Sequence, residues 1–551
     1  MTVRARERHR CPLEDTVFSA EKTAAYRREG DWLDLTLVDW LRKWAAERPE
    51  AVAVSDPTRK LTFSELDAES GRVAGGLSGL GLQPGDVLAA QMPNRAEWLV
   101  LLYAAIKMGA VFMPIHMSYR EAELASMLGF AGARAMAVPV QGDDLSRLEM
   151  IEGVRPKLPS LAHTIVIGAE RPGSVPYTEL SIGKDRTDFE PDPDDPFILL
   201  FTSGTTARPK AVLHTANIRL GNAANAAREL EMDGDSVCLS LSPFSHMFGV
   251  CSHMMAMSCG ARTVAFPQFT PEGFLECVES ERASMVFGTP AHAVSVLGSP
   301  DLPKRDIRSL RAIVLSGSLC PPQVAEEIKE RMDCAPVILW GTTETQVGFY
   351  TRLEDPPEVY CHTVGRPNPG VEISLLDDEL RTVSAGNEGE LCVRGPSLFA
   401  GYYKNPEATA ESFTEEGWYR TGDLAVEDGG GNYRLTGRKH DLINRGGVKF
   451  NPADVEELLA SHPKIAMAAM VGMPDPRLGE RNCLFAVPAP GESLSLEEVV
   501  THIERGGIGK TKWPERLEVV NELPLTPTRK VKRSVLREQI AKKLSEETRV
   551  S

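Results

Sequence analysis

The residues best suited to chemistry fall on one stretch, Leu199-Leu200-Phe201-Thr202-Ser203-Gly204-Thr205-Thr206-Ala207-Arg208-Pro209-Lys210. An apolar strand empties there into four hydroxyl side chains around a glycine, followed by an arginine and a lysine. A polyphosphate asks for this set: N–H and O–H donors, cations, and no bulk in the way. The spacing is not that of a Walker loop, and Ser/Thr/Gly clusters are also common as polar surface turns, so composition alone leaves both readings open. Gly509-Lys510-Thr511 lacks the upstream glycine of a Walker loop and reads as a solvated turn.

Other segments carry groups that complement this loop. Trp340-Gly341-Thr342-Thr343-Glu344 follows the apolar run 337–339 and offers an aromatic face, an open backbone, two hydroxyls and a carboxylate, suited to stacking a base and holding a divalent cation. Residues 418–424 place Asp423 on a tight turn, where it can accept hydrogen bonds from a ribose diol. Gly437-Arg438-Lys439-His440-Asp441 and Asn444-Arg445-Gly446-Gly447 form a basic, glycine-flanked run, and Leu525-Thr526-Pro527-Thr528-Arg529-Lys530-Val531 sets a lysine on a Pro/Thr loop. Read singly, each is more often a turn than a site. His246, Cys251, His253 and Cys259 cluster, but at no standard zinc spacing and among apolar neighbours.

Loops so far apart in sequence need a scaffold that gathers them. Thr36 with Asp39 reads as a capping box ahead of Leu37, Trp40, Leu41 and Trp44 at helical spacing. Residues 51–55 and 87–90 read as strands, Ser64 with Asp67 as the start of a second helix, and Pro93 as the opening of a helix carrying residues 98–107. Strand, turn and helix keep alternating, which predicts an α/β protein with largely parallel sheets whose ligands sit beyond the strand ends. Near Arg438 the pattern changes to a compact block of short elements: 452–460, 465–473, 495–505 and 534–543. Since 551 residues exceed what one core of roughly 250–300 residues can hold, the expectation is a large N-terminal domain of layered sheets and helices over residues 1–437 and a small α+β domain over 442–551.

Charge narrows the partners. The net charge of −16 opposes nucleic acid and anionic membrane faces, and it is unevenly shared: residues 441–551 carry about +1 and the remainder about −17. The most apolar run, 98–106, is broken by Lys107 and is far shorter than the ~20 residues of a membrane span. The basic N-terminus has no apolar segment behind it, and the ten cysteines form no CxxC pair, so a reducing, cytoplasmic setting without a secretory signal is expected.

In this order and at these separations the segments resemble the adenylate-forming superfamily: acyl- and aryl-CoA synthetases, the adenylation domains of peptide synthetases, and firefly-luciferase-like enzymes. The resemblance runs from about residue 36 to about residue 543. Within it the N-terminal extension and residues 350–356, 443–447 and 474–481 look most like the stand-alone aryl-acid AMP ligases that activate 2,3-dihydroxybenzoate. The resemblance implies ATP and Mg2+, a carboxylic acid converted to an acyl-adenylate, and transfer to the thiol of coenzyme A, or alternatively to the phosphopantetheine of a carrier protein or to an amine. It implies that Thr202, Ser203, Gly204, Thr205, Thr206 and Lys210 cover the β- and γ-phosphates. Glu344 would hold Mg2+, Thr343 would contact the α-phosphate within the loop of Gly341 and Thr342, and Trp340 would lie beside adenine. Asp423 would bind the ribose with help from Arg438, and Lys530 would bridge the attacking carboxylate and the α-phosphate. The small domain would swing about a hinge at residues 438–441, with His440 at its centre, bringing the Gly446–Gly447 loop towards the thiol. The acid pocket would be framed by His246, Met247, Phe248, Gly249, Phe287, Gly288, Ser316 and Gly317.

Departures from the family pattern limit what carries over. Ala207 and Ala211 replace glycines around the phosphate loop, and Arg529 replaces the glycine usual before the catalytic lysine. His440 stands where Asp or Lys is common, and because imidazole titrates near neutrality a pH-dependent balance of half-reactions is expected. Met247 stands where dihydroxybenzoate ligases carry an asparagine that reads the ring hydroxyl. Without that hydrogen bond a 2-hydroxybenzoate is disfavoured, and an aromatic, alicyclic or medium-chain acid is expected.

Overall fold

The computed structural model describes residues 18–140, 144–168, 170–185, 189–202, 210–446, 448–526 and 530–550. Among them the strands form four sheets. One has nine strands, in the spatial order 366–367, 349–350, 335–340, 312–315, 285–288, 237–240, 262–265, 52–55 and 60–62. Its central members, from Val52–Ser55 to Ala335–Trp340, pair in parallel. A second sheet has seven strands and is parallel except where Pro196–Phe201 meets Ala211–Thr215. The four strands from Glu372–Leu376 to Tyr433–Arg438 make an antiparallel sheet. Beyond it a five-stranded sheet spans Ile443–Arg445 to Arg516–Val519 and has two apolar cores of its own.

The two large sheets share a core. All 12 residues of helix Ala96–Lys107 are buried, and Trp98 packs on Phe112 (4.9 Å between centroids) from the seven-stranded sheet and on Phe244 (5.2 Å), which follows a strand of the nine-stranded one. Lys107 ends the apolar run by donating to Asp67 Oδ1 at 2.7 Å, which neutralises a buried ammonium. No described helix is long and apolar enough to cross a membrane.

The predicted box at Thr36 and Asp39 caps helix Leu37–Glu47. The second helix starts earlier than expected: Thr62 and Glu65 form its box, not Ser64 and Asp67, because strand Lys60–Thr62 ends at that threonine and Phe63 already packs inward. Pro93 does not open the next helix, which begins at Ala96 after Arg95. His253 is spent on its neighbours, with Nε2 on Tyr103 Oη and Nδ1 on Thr263 Oγ1, both at 2.9 Å.

Candidate active site

Parallel strands of the nine-stranded sheet end together, and the loops that leave them close around a cavity of about 120 Å³. Residues 241–243, Thr289, Ser316, Gly317, Gly341 and Thr342 come from these loops. His246, Met247, Phe248 and Cys251 come from the start of helix Met247–Cys259. Cavities of about 150 Å³ admit benzene, so this one suits a single ring or an aliphatic chain of similar volume.

His246 caps its helix by accepting from the Phe248 N–H at Nδ1 (3.3 Å). Burial, then the nearby Lys530 and His116, pull its pKa down to about 3, so it presents a neutral imidazole. Three expected wall residues stand behind the wall instead. Gly249 lies against the Pro243 carbonyl, which would be 2.2 Å from a Cβ, and the space beside Gly288 is filled by His292 and Leu241. Phe287 is wholly buried against Phe248, 6.0 Å between centroids.

One wall comes from the far end of the chain. Lys530 reaches the cavity from a tight loop in which Thr526 N–H donates to its carbonyl (2.7 Å) and its own N–H donates to Thr526 Oγ1 (2.9 Å). Burial and then Arg438 push the Lys530 ammonium below the ordinary lysine range, while Asp423 and Glu344 pull it back up. Arg529 lies outside the described residues.

Beside the lysine, Asp423 is buried, with one bond on each oxygen: Oδ2 accepts from Trp340 Nε1 and Oδ1 from Arg438 Nε, both at 2.8 Å. It sits on strand Tyr419–Glu427, opposite Arg438 in the ladder, and not on the turn that Gly422 suggested. The Trp340 ring packs edge-on against Phe349 at 5.3 Å and over Gly348, where a Cβ would lie 2.4 Å from the indole.

Glu344 is also buried. Its Oε1 accepts from Tyr402 Oη at 2.8 Å, its carbonyl accepts from Phe399 N–H (2.9 Å) and Arg219 Nη2 (3.2 Å), and Oε2 takes no hydrogen bond from the described residues. A single available carboxylate oxygen is what a Mg2+ that also binds phosphates requires. Tyr402 ties this carboxylate to the end of the loop of residues 202–210, since the Lys210 ammonium lies 4.8 Å above its ring. The stem of that loop is closed by Thr202 N–H on the Lys210 carbonyl at 2.8 Å. Ser203, Gly204, Thr205 and Thr206 lie outside the described residues, as does Gly447. Gly446 has φ +61 and turns the hairpin between Ile443–Arg445 and Val448–Phe450, away from the cavity wall.

Tyr402, Arg219, Gln346 and Cys251 were not singled out for the site in sequence. Tyrosine and arginine at isolated positions carry no spacing signal, and Cys251 reads as a buried thiol.

Residues 41–403 match the family described as AMP-binding enzyme, and residues 454–530 match the AMP-binding enzyme C-terminal domain. The chain belongs to the AMP-binding enzyme family. The last residue of the second match is Lys530. Similar proteins include a medium-chain fatty-acid–CoA ligase of Escherichia coli (34% identical, 96% of this chain and 95% of that one) and a 2,3-dihydroxybenzoate-AMP ligase of Bacillus subtilis (31%, 96% and 98%). The crystal structure of an anthranilate CoA ligase with anthranoyl-AMP superposes with a TM-score of 0.84 at 26% identity, over 93% of this chain and 98% of the other. AMP-binding enzymes of both aliphatic and aromatic acids are thus related to this chain over nearly its full length.

Proposed function

We propose that this chain is an ATP- and Mg2+-dependent acid–thiol ligase that converts an aromatic, alicyclic or medium-chain carboxylic acid to its acyl-adenylate and then to a coenzyme A thioester. The observation that carries the reading is Lys530 standing in the wall of the cavity, beside Met247 and Phe248 and within the field of Asp423, Arg438 and Glu344.

The chemistry follows from charge. A carboxylate attacks the α-phosphorus of ATP, so two anions must meet while pyrophosphate departs. Lys530 neutralises the carboxylate and the α-phosphate where they approach, and Lys210 does so for the leaving group. Glu344, with Oε2 available, would hold Mg2+, which supplies positive charge to the phosphates. Asp423, already fixed by the Trp340 indole and the Arg438 guanidinium, would accept from the ribose hydroxyls, and Trp340 would lie beside the adenine. Neutral His246 and the apolar Met247 and Phe248 exclude water from the reacting carboxyl group.

For the second half-reaction the residues after the single 3-10 turn Lys439–Asp441 rotate about His440, withdrawing Lys530 and bringing the hairpin around Gly446 to the thiol. Lys439 stays with the large domain, held by Asp378 (2.9 Å) and Glu390 (3.1 Å), while the His440 carbonyl accepts from Arg537 of the last helix. The joint is tight. Gly437 has φ +148, and a Cβ there would fall 1.7 Å from Asn451 Nδ2. Gly437→Ala is therefore expected to shift the small domain and lower pyrophosphate exchange about 10²-fold, with an unchanged melting temperature for the large domain; full exchange would show that the joint tolerates the displacement.

The deciding experiment is acid-dependent ATP–pyrophosphate exchange over aryl, alicyclic and fatty acids, repeated with coenzyme A while AMP and thioester are followed. Exchange with no acid would overturn the reading, and thioester formation only on a phosphopantetheinylated carrier would replace coenzyme A as acceptor. Met247→Asn is expected to raise the relative use of 2-hydroxybenzoate about tenfold, because it adds a partner for the ring hydroxyl; an unaltered benzoate to 2-hydroxybenzoate ratio would exclude Met247 from that choice.

A further inference from the structure

The cavity is also lined by two buried polar residues, Gln346 and Cys251, only 3% and 2% exposed. Cys251 lies five residues along the chain from His246, about 7.5 Å of helix rise at 1.5 Å per residue. With the reacting carboxylate placed at Lys530 and His246, Cys251 and the Gln346 amide bonded to it stand about one such rise away.

Gln346 is held in a conformation that residues other than glycine rarely adopt, φ +61. Its N–H donates to the Thr342 carbonyl (2.9 Å), and its own carbonyl presses on Gly341, where a Cβ would be 1.8 Å away. Behind it, outside the cavity wall, stands the completely buried Arg219. That guanidinium donates from Nε to His214 Nδ1 (2.8 Å), from Nη1 to the Ser397 carbonyl (2.9 Å) and to Gln346 Oε1 (3.5 Å), and from Nη2 to the Glu344 carbonyl. Among the described residues no carboxylate oxygen pairs with it. Burial draws its pKa down to about 9, which leaves it cationic at neutral pH.

A guanidinium can only donate, so it decides which end of the amide it faces. The Gln346 oxygen turns to Arg219, and the NH2 group turns to the cavity, where it meets only Cys251 Sγ at 3.4 Å, a weak acceptor. Beside Met247, Phe248, Leu339 and Val347 a donor is thus presented to the cavity with only a weak acceptor on it, and a better acceptor would take it.

We infer that Gln346, oriented by the positioning residue Arg219, determines specificity by selecting acids with a neutral hydrogen-bond-accepting oxygen, a ketone or ether, at the end remote from the reacting carboxylate. This rests on the cavity being the acid site. An acid that is apolar at that end leaves the amide on the thiol; an acid with an oxygen there satisfies it.

The test uses near-isosteric pairs in pyrophosphate exchange: 5-oxohexanoate against 5-methylhexanoate, and 4-methoxybenzoate against 4-ethylbenzoate. The wild type is expected to prefer the oxygen-bearing member by about tenfold or more in kcat/KM. Gln346→Leu and Arg219→Met are each expected to cut the ratio to about threefold or less, with Arg219→Lys restoring part of it. A purely structural role would lower both members equally and leave the ratio intact. Equal use of the two members by the wild type, preference for the apolar member, or exchange with other acids but with neither pair overturns the inference, whether or not the variants fold. Exchange with no acid at all would instead be the failure of the ligase reading.

Discussion

Lys530→Ala is expected to lower acid-dependent pyrophosphate exchange by about 10³-fold, while thioester formation from a supplied acyl-adenylate keeps most of its rate. The two half-reactions should separate because Lys530 stands in the cavity wall here, and the proposed rotation about His440 would remove it. Equal loss of both half-reactions would mean that the lysine serves folding or both chemistries. A pH profile gives an independent reading. Burial and Arg438 lower the pKa of Lys530, and its protonated form is the one that neutralises the reactants, so adenylation should decline with rising pH below the ordinary lysine range. Lys530→Arg should move that alkaline limb upward, since a guanidinium stays charged. Thioester formation from supplied adenylate should lack the limb altogether.

Asp423→Asn is expected to raise the KM for ATP by about 10–100-fold, the range for losing hydrogen bonds to a charged group. The carboxylate satisfies Trp340 with one oxygen and Arg438 with the other. An amide keeps the shape but offers one accepting oxygen, so one of these donors must face an NH2 group, and the ribose loses a charged partner. Trp340 fluorescence should shift in the same variant, because the indole N–H is the donor most easily stranded. An unchanged KM together with shifted fluorescence would assign Asp423 to holding the tryptophan alone.

Among the parts of this site legible in sequence are those at the C-terminal ends of parallel strands. There an apolar run followed by Gly, Thr and Ser marks both the element and the place where its loop opens, as at Trp340-Gly341-Thr342. The alternation of strand and helix gave the layered architecture for the same reason. What stayed illegible depends on contacts between distant segments. Tyr402 reaches Glu344 across 58 positions, and Arg219 reaches Gln346 across 127; neither has a local pattern to mark it. Gly422 pointed to a turn, but Asp423 pairs with Arg438 in a ladder that only the folded chain brings together. The start of the second helix was misplaced because Thr62-x-x-Glu65 and Ser64-x-x-Asp67 are both valid boxes, and only the preceding strand decides between them.

The wholly buried helix Ala96–Lys107 has a consequence for how the molecule comes apart. Because one face of Trp98 belongs to each large sheet, neither sheet can open without uncovering apolar surface of the other, so the two melt as one cooperative body. The five-stranded sheet keeps its two cores to itself and can unfold separately. The element proposed to turn between the half-reactions is therefore the one whose loss would leave the rest of the chain folded.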